Sequence, residues 1–313
     1  MMTQAQTESI NQDTYLNIIK LARQYQEEGL FNQAEDFYKQ AIAMARNLLA
    51  GNDDRQRLLL IEALSELASF YSFHGKDERS QYLWSEILEL GKSSFDAGDN
   101  IYVESVFGLA NIKEKRGEII QAEDLYQSIL QKQEKAYGAE ALEICPAIKK
   151  TAAFYFRRQD YAQAEAFYLR ALALEEFHLG TCSEQINSTV DALVNIFRKQ
   201  KKWRLAEYML DRQKDILNIL HGEGSLCATS CELRQAELFW QSGQTDKAMR
   251  SYGTVLNMYT KMFGARSGAI LSFKKKLGAL LPASLSFAPE DTSAPTKEKQ
   301  IVMPIAPPVL VTV

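Results

Sequence analysis

The sequence predicts an all-α solenoid of helix-turn-helix repeats, and three observations carry the prediction. An anchor recurs every 42 residues at Gly75, Gly117, Gln159, Lys201 and Gly243, with Gly29 one step earlier at a spacing of 46. Behind each anchor the same side chains return. A small one lies five residues on (Ala34, Ser80, Ala122, Ala164, Ala206, Ala248) and a bulky one nine on (Tyr38, Trp84, Tyr126, Tyr168, Leu210, Tyr252). A second glycine series, Gly138, Gly180, Gly222 and Gly264, runs at the same period of 42. Two series in phase define one structural unit repeated about six times.

Residues 1–13 are polar, rich in Gln and Thr, and are expected to be disordered. From Tyr15 a helical period begins. Ile18, Leu21, Ala22 and Tyr25 share one face at i, i+3, i+4 and i+7 spacing. Gly29 then supplies the positive φ of a tight interhelical turn, and Ala34, Phe37, Tyr38, Ala41 and Ala45 line a second helix. Each repeat is thus helix A, turn, helix B, loop. The second glycines are expected at a left-handed C′ position closing helix B. Ser or Thr follows in three of those four loops and could cap the next helix A. Helix A carries an apolar–small pair (Leu67–Ala68, Leu109–Ala110, Thr151–Ala152). Four residues before the anchor stands an aromatic in five of six repeats: Tyr25, Tyr71, Tyr155, Phe197 and Phe239, with Lys113 in the third. Small residues admit the facing helix and the aromatics fill the space between layers. The solenoid is expected to span 14–281, with 268–281 as a capping helix, and 282–313 as a flexible Pro-containing tail.

Apolar residues make up 46% and charged residues 24% of the chain, and the net charge of −4 is too mild for a nucleic-acid or membrane surface. The run Lys199–Lys201–Lys202–Arg204 around Trp203 has the look of an RNA contact, against which the overall acidity weighs. No stretch reaches the ~20 apolar residues of a membrane helix. The polar start has no apolar run of a secretory signal and the cysteines are sparse, so a cytoplasmic protein is expected. Cys227, Cys231 and His221 lie close in sequence, but paired zinc-site spacings are missing. The phosphate-loop, dinucleotide and nucleophile-elbow motifs are absent too, so no metal, no cofactor and no catalysis are expected. His74, His178 and His221 all fall at or near helix ends.

In its small–aromatic–small helix B and its interhelical glycine the chain resembles the tetratricopeptide repeat (TPR). The 42-residue period and the phrases AEDFYKQAI, AEDLYQSIL and AEAFYLRAL look like the longer subclass found in kinesin light chains. The resemblance implies a right-handed superhelix whose A helices line a concave groove. The chain departs from that subclass in lacking the acidic-His-Pro loop phrase and the paired asparagines of its A helices. Gln213 takes a small-residue position, and Glu232 and Gln235 take apolar ones. Looser packing or a register slip is expected there.

The groove positions the resemblance implies place Asn111, Lys149, Phe156, Arg157, Asn195, Arg198, Lys199 and Trp240 on the binding side. The basic groups could pair a ligand's carboxylates, the asparagines could bond an extended backbone, and Phe156 and Trp240 could anchor an apolar side chain. The function this favours is a non-enzymatic scaffold or adaptor for a protein or peptide partner. A regulatory sensor closing around a short peptide or small effector, and a structural subunit of a larger assembly, are the alternatives. The apolar end IAPPVLVTV could occupy such a groove itself.

Overall fold

The computed structural model describes residues 4–48, 54–92, 99–264, 267, 268, 270–272 and 275. Among these, every regular element is a helix: α1 (Gln4–Glu27), α2 (Phe31–Leu48), α3 (Asp54–Phe73), α4 (Asp77–Leu90), α5 (Asn100–Lys115), α6 (Ile119–Tyr137), α7 (Cys145–Arg157), α8 (Tyr161–Leu179), α9 (Glu184–Lys199), α10 (Trp203–His221), α11 (Leu226–Gln241) and α12 (Thr245–Phe263). A 3-10 turn, Leu142–Ile144, leads into α7. Odd-numbered helices are the A helices and even-numbered ones the B helices. Helix α1 starts at Gln4, inside the segment 1–13 expected to be disordered. Gln, Ala and Glu are good helix formers, so a polar sequence can prolong a helix that the packed face from Tyr15 onward nucleates. The tail 282–313 lies outside the described residues, as does most of the expected cap.

The chain divides into two compact units, residues 1–147 and 148–313. In the first, the hairpins α1–α2, α3–α4 and α5–α6 follow one another, α2 packing on α3 and α4 on α5. In the second, α8 packs on α9, α9 on α10, α10 on α11 and α11 on α12. The seam inside each hairpin is made of the small residues read from the sequence. Ala34, Ala122, Ala164, Ala206 and Ala248 are fully buried on the B side, and Ala22, Ala68, Ala110, Ala152 and Ala236 on the A side. Ser80 is equally buried and meets its hydrogen-bonding need by donating to the Ala68 carbonyl at 2.8 Å. Gly108 brings α5 against α4, where an added Cβ would stand 2.4 Å from Trp84 Nε1.

The two glycine series prove to be different devices. All six anchors have positive φ, including Gln159 at 61° and Lys201 at 58°. The next residue's N–H reaches back to the carbonyl four before the anchor (Lys76 to Tyr71 at 2.8 Å, Lys202 to Phe197 at 2.9 Å), the wide bond of a Schellman turn. That left-handed geometry admits Gln and Lys at a cost. The second series is not left-handed helical as expected. Gly138, Gly180, Gly222 and Gly264 have φ between 76° and 93° but extended ψ of 154°, −160°, 156° and 147°. That region is essentially closed to side chains, so this series contains no substitute for glycine. Ser183, Ser225 and Ser267 then cap the following helix, accepting from Ile186, Ala228 and Ile270 N–H at 3.2, 3.3 and 3.3 Å. Behind Ser267 the backbone is helical again, and Ile270 is fully buried against Tyr252, Val255 and Tyr259.

The aromatic before the turn is buried at Tyr71, Tyr155, Phe197 and Phe239 and half-buried at Tyr25, and three repeats lay a lysine over it: Lys76 on Tyr71, Lys202 on Phe197 and Lys247 on Phe239, at 5.0–5.8 Å. The third repeat exchanges this pair for another. Lys113 stands at the aromatic position and donates to Glu118, the residue after the anchor, at 2.5 Å.

Candidate functional site: the A-helix wall of the second unit

Seven of the eight sequence-predicted groove residues fall in the second unit, on α7, α9 and α11. The eighth, Asn111, is half-buried on α5 of the first unit. The seven do not play one role. Lys149 is committed inside the fold. Its ammonium donates at 2.8 Å to Glu175 of α8, a carboxylate 1% exposed, whose other oxygen accepts from Thr189 at 2.6 Å. This pairing ties Lys149 to the fold, since moving it would strand the buried Glu175 charge. Phe156 is half-buried with its ring edge-on to Tyr161 at 5.5 Å. Arg157 and Trp240 are half-buried, and Lys199 is exposed. In the basic run, Lys202 pairs with Glu165 at 2.6 Å.

Arg198 differs from Lys149, Lys202 and Arg234, which pair with carboxylates. It is half-buried, and its guanidinium donates to a neutral acceptor, the Gln241 side-chain carbonyl of α11, at 3.2 and 3.4 Å. Burial is the main influence on it and pulls its pKa down, and the carboxylate of Glu237 acts the other way. One turn earlier, Asn195 donates to Asp191 at 3.4 Å, and Asp191 forms an ion pair with Arg234 of α11. Arg234 is absent from the sequence-predicted set. A signal for it was present, because the opposite charges of Asp191 and Arg234 stand one repeat apart.

Behind the wall lies the stretch expected to pack loosely. Gln213, 4% exposed, donates to Asn187 and Asp191, both at 3.2 Å, and accepts from Arg234 at 2.9 Å. Glu232 is paired with Lys214 at 2.5 Å, and Gln235 donates to Asp211 at 2.7 Å. The register is kept. Ala206, Leu210 and Ala236, the neighbouring repeat positions, are all buried as in other repeats. Each misfit finds its own polar partners, Gln213 on α9 and α11, Glu232 on Lys214 and Gln235 on Asp211, as burial demands of polar groups. The two cysteines considered for zinc have separate fates. Cys227 is exposed, while Cys231 is buried, donates to the Leu210 carbonyl at 3.3 Å, and has its thiol pushed by burial up to about 12. Among the described residues, no group of three or more His, Cys, Asp or Glu is placed to hold a metal, and no helix is long and apolar enough to cross a membrane.

Solved structures with the same arrangement of helix pairs include BtubC (BKLC) from P. vanneervenii, with a TM-score of 0.62 at 17% identity over 86% of this chain and 98% of that one. The fold is that of the tetratricopeptide repeat proteins. The TPR-like repeats of a Podosopora anserina putative kinesin light chain match at a TM-score of 0.56 and 15% identity, over 66% of this chain and 97% of theirs. A Rap protein complexed with Competence and Sporulation Factor matches at 0.50 and 20% identity, over 88% of this chain and 80% of that one. No family model and no curated protein matches the chain. The TPR fold accounts for the small–aromatic–small helix B and for the turn anchors.

Proposed function

We propose that this TPR chain is a non-enzymatic interaction module, a scaffold or adaptor, that holds an acidic, extended segment of a partner protein on the A-helix wall of its second unit. The observation that carries this reading is Arg198. A half-buried guanidinium answered by a neutral amide gains from a carboxylate, which replaces a neutral acceptor by a charged, bidentate one. Lys199 beside it adds an exposed positive charge, and Phe156 and Trp240 offer half-buried aromatic surface of the type that dominates binding energy. The Rap structure supports the reading in kind, since there a protein of this fold is complexed with a factor.

The test is the partner set recovered by affinity capture, followed by titration of whichever partner is found. The double reversal R198E/K199E is expected to weaken that partner at least tenfold, and raised salt is expected to weaken the wild-type complex in the same direction. An unchanged partner set and affinity in the double variant would sink this assignment of the wall.

A further inference from the structure

Helix α8 is the one B helix whose outermost stripe carries no charged side chain. In helical projection the positions 3, 7, 10, 14 and 18 past the anchor form a stripe on the outer side of each B helix. In α8 they are Ala162, Ala166, Leu169, Ala173 and Phe177, all exposed. The same positions hold Asp36 and Lys39 in α2, Glu78 and Glu89 in α4, Asp124 and Lys135 in α6, Arg204, Asp211 and Asp215 in α10, and Asp246, Arg250 and Lys261 in α12. A surface helix ordinarily places its charges there. Phe177, 80% exposed, is the most exposed large apolar side chain among the described residues. Beside the stripe, α10 adds two exposed apolar side chains among its charges. The ion pairs Lys202–Glu165 and Arg212–Glu176 set that helix alongside α8, and it presents Tyr208 and Leu205, 61% and 44% exposed.

We infer that this face is an interface between two copies of the chain, with α8 packed antiparallel on α8 of the second copy about a two-fold axis. The pattern of the stripe selects this occupant. Laid antiparallel on itself, Ala162 comes opposite Phe177 and Ala166 opposite Ala173, and both pairs are centred on the same point, between residues 169 and 170. Leu169 then meets its own copy one residue off register. Each bulky Phe177 sits over the small Ala162 of the other chain, and the alanine pairs between them allow the backbones to approach. This is the self-complementarity that a closed two-fold contact requires. Phe177, Leu169, Tyr208 and Leu205 are 80%, 40%, 61% and 44% exposed, and with the three alanines their full burial in both copies would bring the contact to the ~1,000 Å² of a small specific interface. The stripe itself brings no charge into the contact, and the charges beside it, Arg170 and Glu176, are half-buried at its edges, Glu176 already paired with Arg212.

Sedimentation velocity on the full chain over a series from about 10 to 100 μM tests this, a range that populates any pair with a micromolar Kd. The wild type is expected to sediment with twice the mass of one chain, and Phe177→Asp with the mass of one, at unchanged helical circular dichroism. A second arm needs no disruptive change. In a Cys227→Ser background, chains carrying Ala166→Cys are mixed with chains carrying Ala173→Cys and mildly oxidised. The mixture is expected to form a disulfide-linked pair that neither variant forms alone, because each residue faces the other and not itself. A single-chain mass for the wild type throughout that range overturns the inference and assigns the stripe to a different protein. A pair that survives Phe177→Asp, or cross-linking by either cysteine variant alone to the same extent as the mixture, overturns it as well.

Discussion

The two units solve the same packing problem with different chemistry. In the first, the hairpins α1–α2 and α3–α4 meet through an apolar core of Tyr15, Tyr38, Ile61, Leu64 and Phe70, and charge is held at its edge. There Glu35, nearly buried, gathers Lys39, Lys76, Arg79 and the Tyr71 hydroxyl around one carboxylate. In the second, polar side chains enter the layer itself: Gln213 stands at a small-residue position and Glu232 and Gln235 at apolar ones, with Asn187, Asp191 and Arg234 gathered around Gln213. The comparison teaches that the repeat specifies a spacing between helices and leaves open what fills it, provided each polar group that is buried finds its partner.

Removing a member of the polar layer is the most severe way to break this comparison. Gln213→Leu would make the fifth repeat resemble the apolar first unit in composition, yet it takes hydrogen bonds from Asn187, Asp191 and Arg234 together. A loss of about 2–4 kcal/mol is expected, as for a broken buried network. It would be read as a lower denaturant midpoint by tryptophan fluorescence, and a neutral or stabilising outcome would show that the layer behaves as ordinary core.

The Glu35 cluster is expected to matter less and to depend on pH. Burial pushes the Glu35 carboxyl up, but hydrogen bonds from Lys39, Lys76 and Tyr71 outweigh it and hold it at about 2, below the ordinary 4.5. The folded state therefore binds the proton more weakly than the unfolded chain. The stabilisation is complete above pH 4.5 and is lost as pH falls from 4.5 toward 2. Because the lysines are half-exposed, the effect is on the order of 1 kcal/mol. Thermal unfolding of wild type and Glu35→Gln between pH 5 and 2 checks it. The wild type should lose its advantage across that window, and parallel curves would remove the cluster from the acid response.

The smallest effect sharpens the contrast between the two glycine series. Lys201 occupies a left-handed turn that costs a side chain about 1–2 kcal/mol, and glycine recovers most of this while losing ~0.5–1 kcal/mol to chain entropy. Lys201→Gly is thus expected to stabilise by a few tenths of a kcal/mol up to about 1, read as a small rise in melting temperature. A fall would mean that the Lys201 side chain contributes more than its backbone costs.

Most of the fold was legible in the chain because it is written in spacing. Ala34, Ala68 and Ala122 had to be small where helices touch, and Gly29 and Gly75 had to turn. Each such requirement is local and recurs every 42 residues. The candidate site was less legible. Lys149 and Arg198 look alike in the sequence, both basic and both at predicted groove positions. Lys149 is paired with Glu175, a residue of the next helix 26 positions away, while Arg198 hydrogen-bonds an amide of α11, with the Glu237 carboxylate acting on it from a distance.

By itself, then, the order of residues determined that the protein is a TPR array of helical pairs, where each pair turns, and which face of each helix is hidden. Tertiary packing decided the rest. It settled which charges are spent on neighbours and which are left on the wall, it turned three apparent misfits into a satisfied layer, and it put five uncharged side chains of α8 on the outside. The reason is physical. Periodicity reports how one helix divides into faces, but the partner of a charge and the exposure of an apolar side chain depend on atoms a whole repeat away.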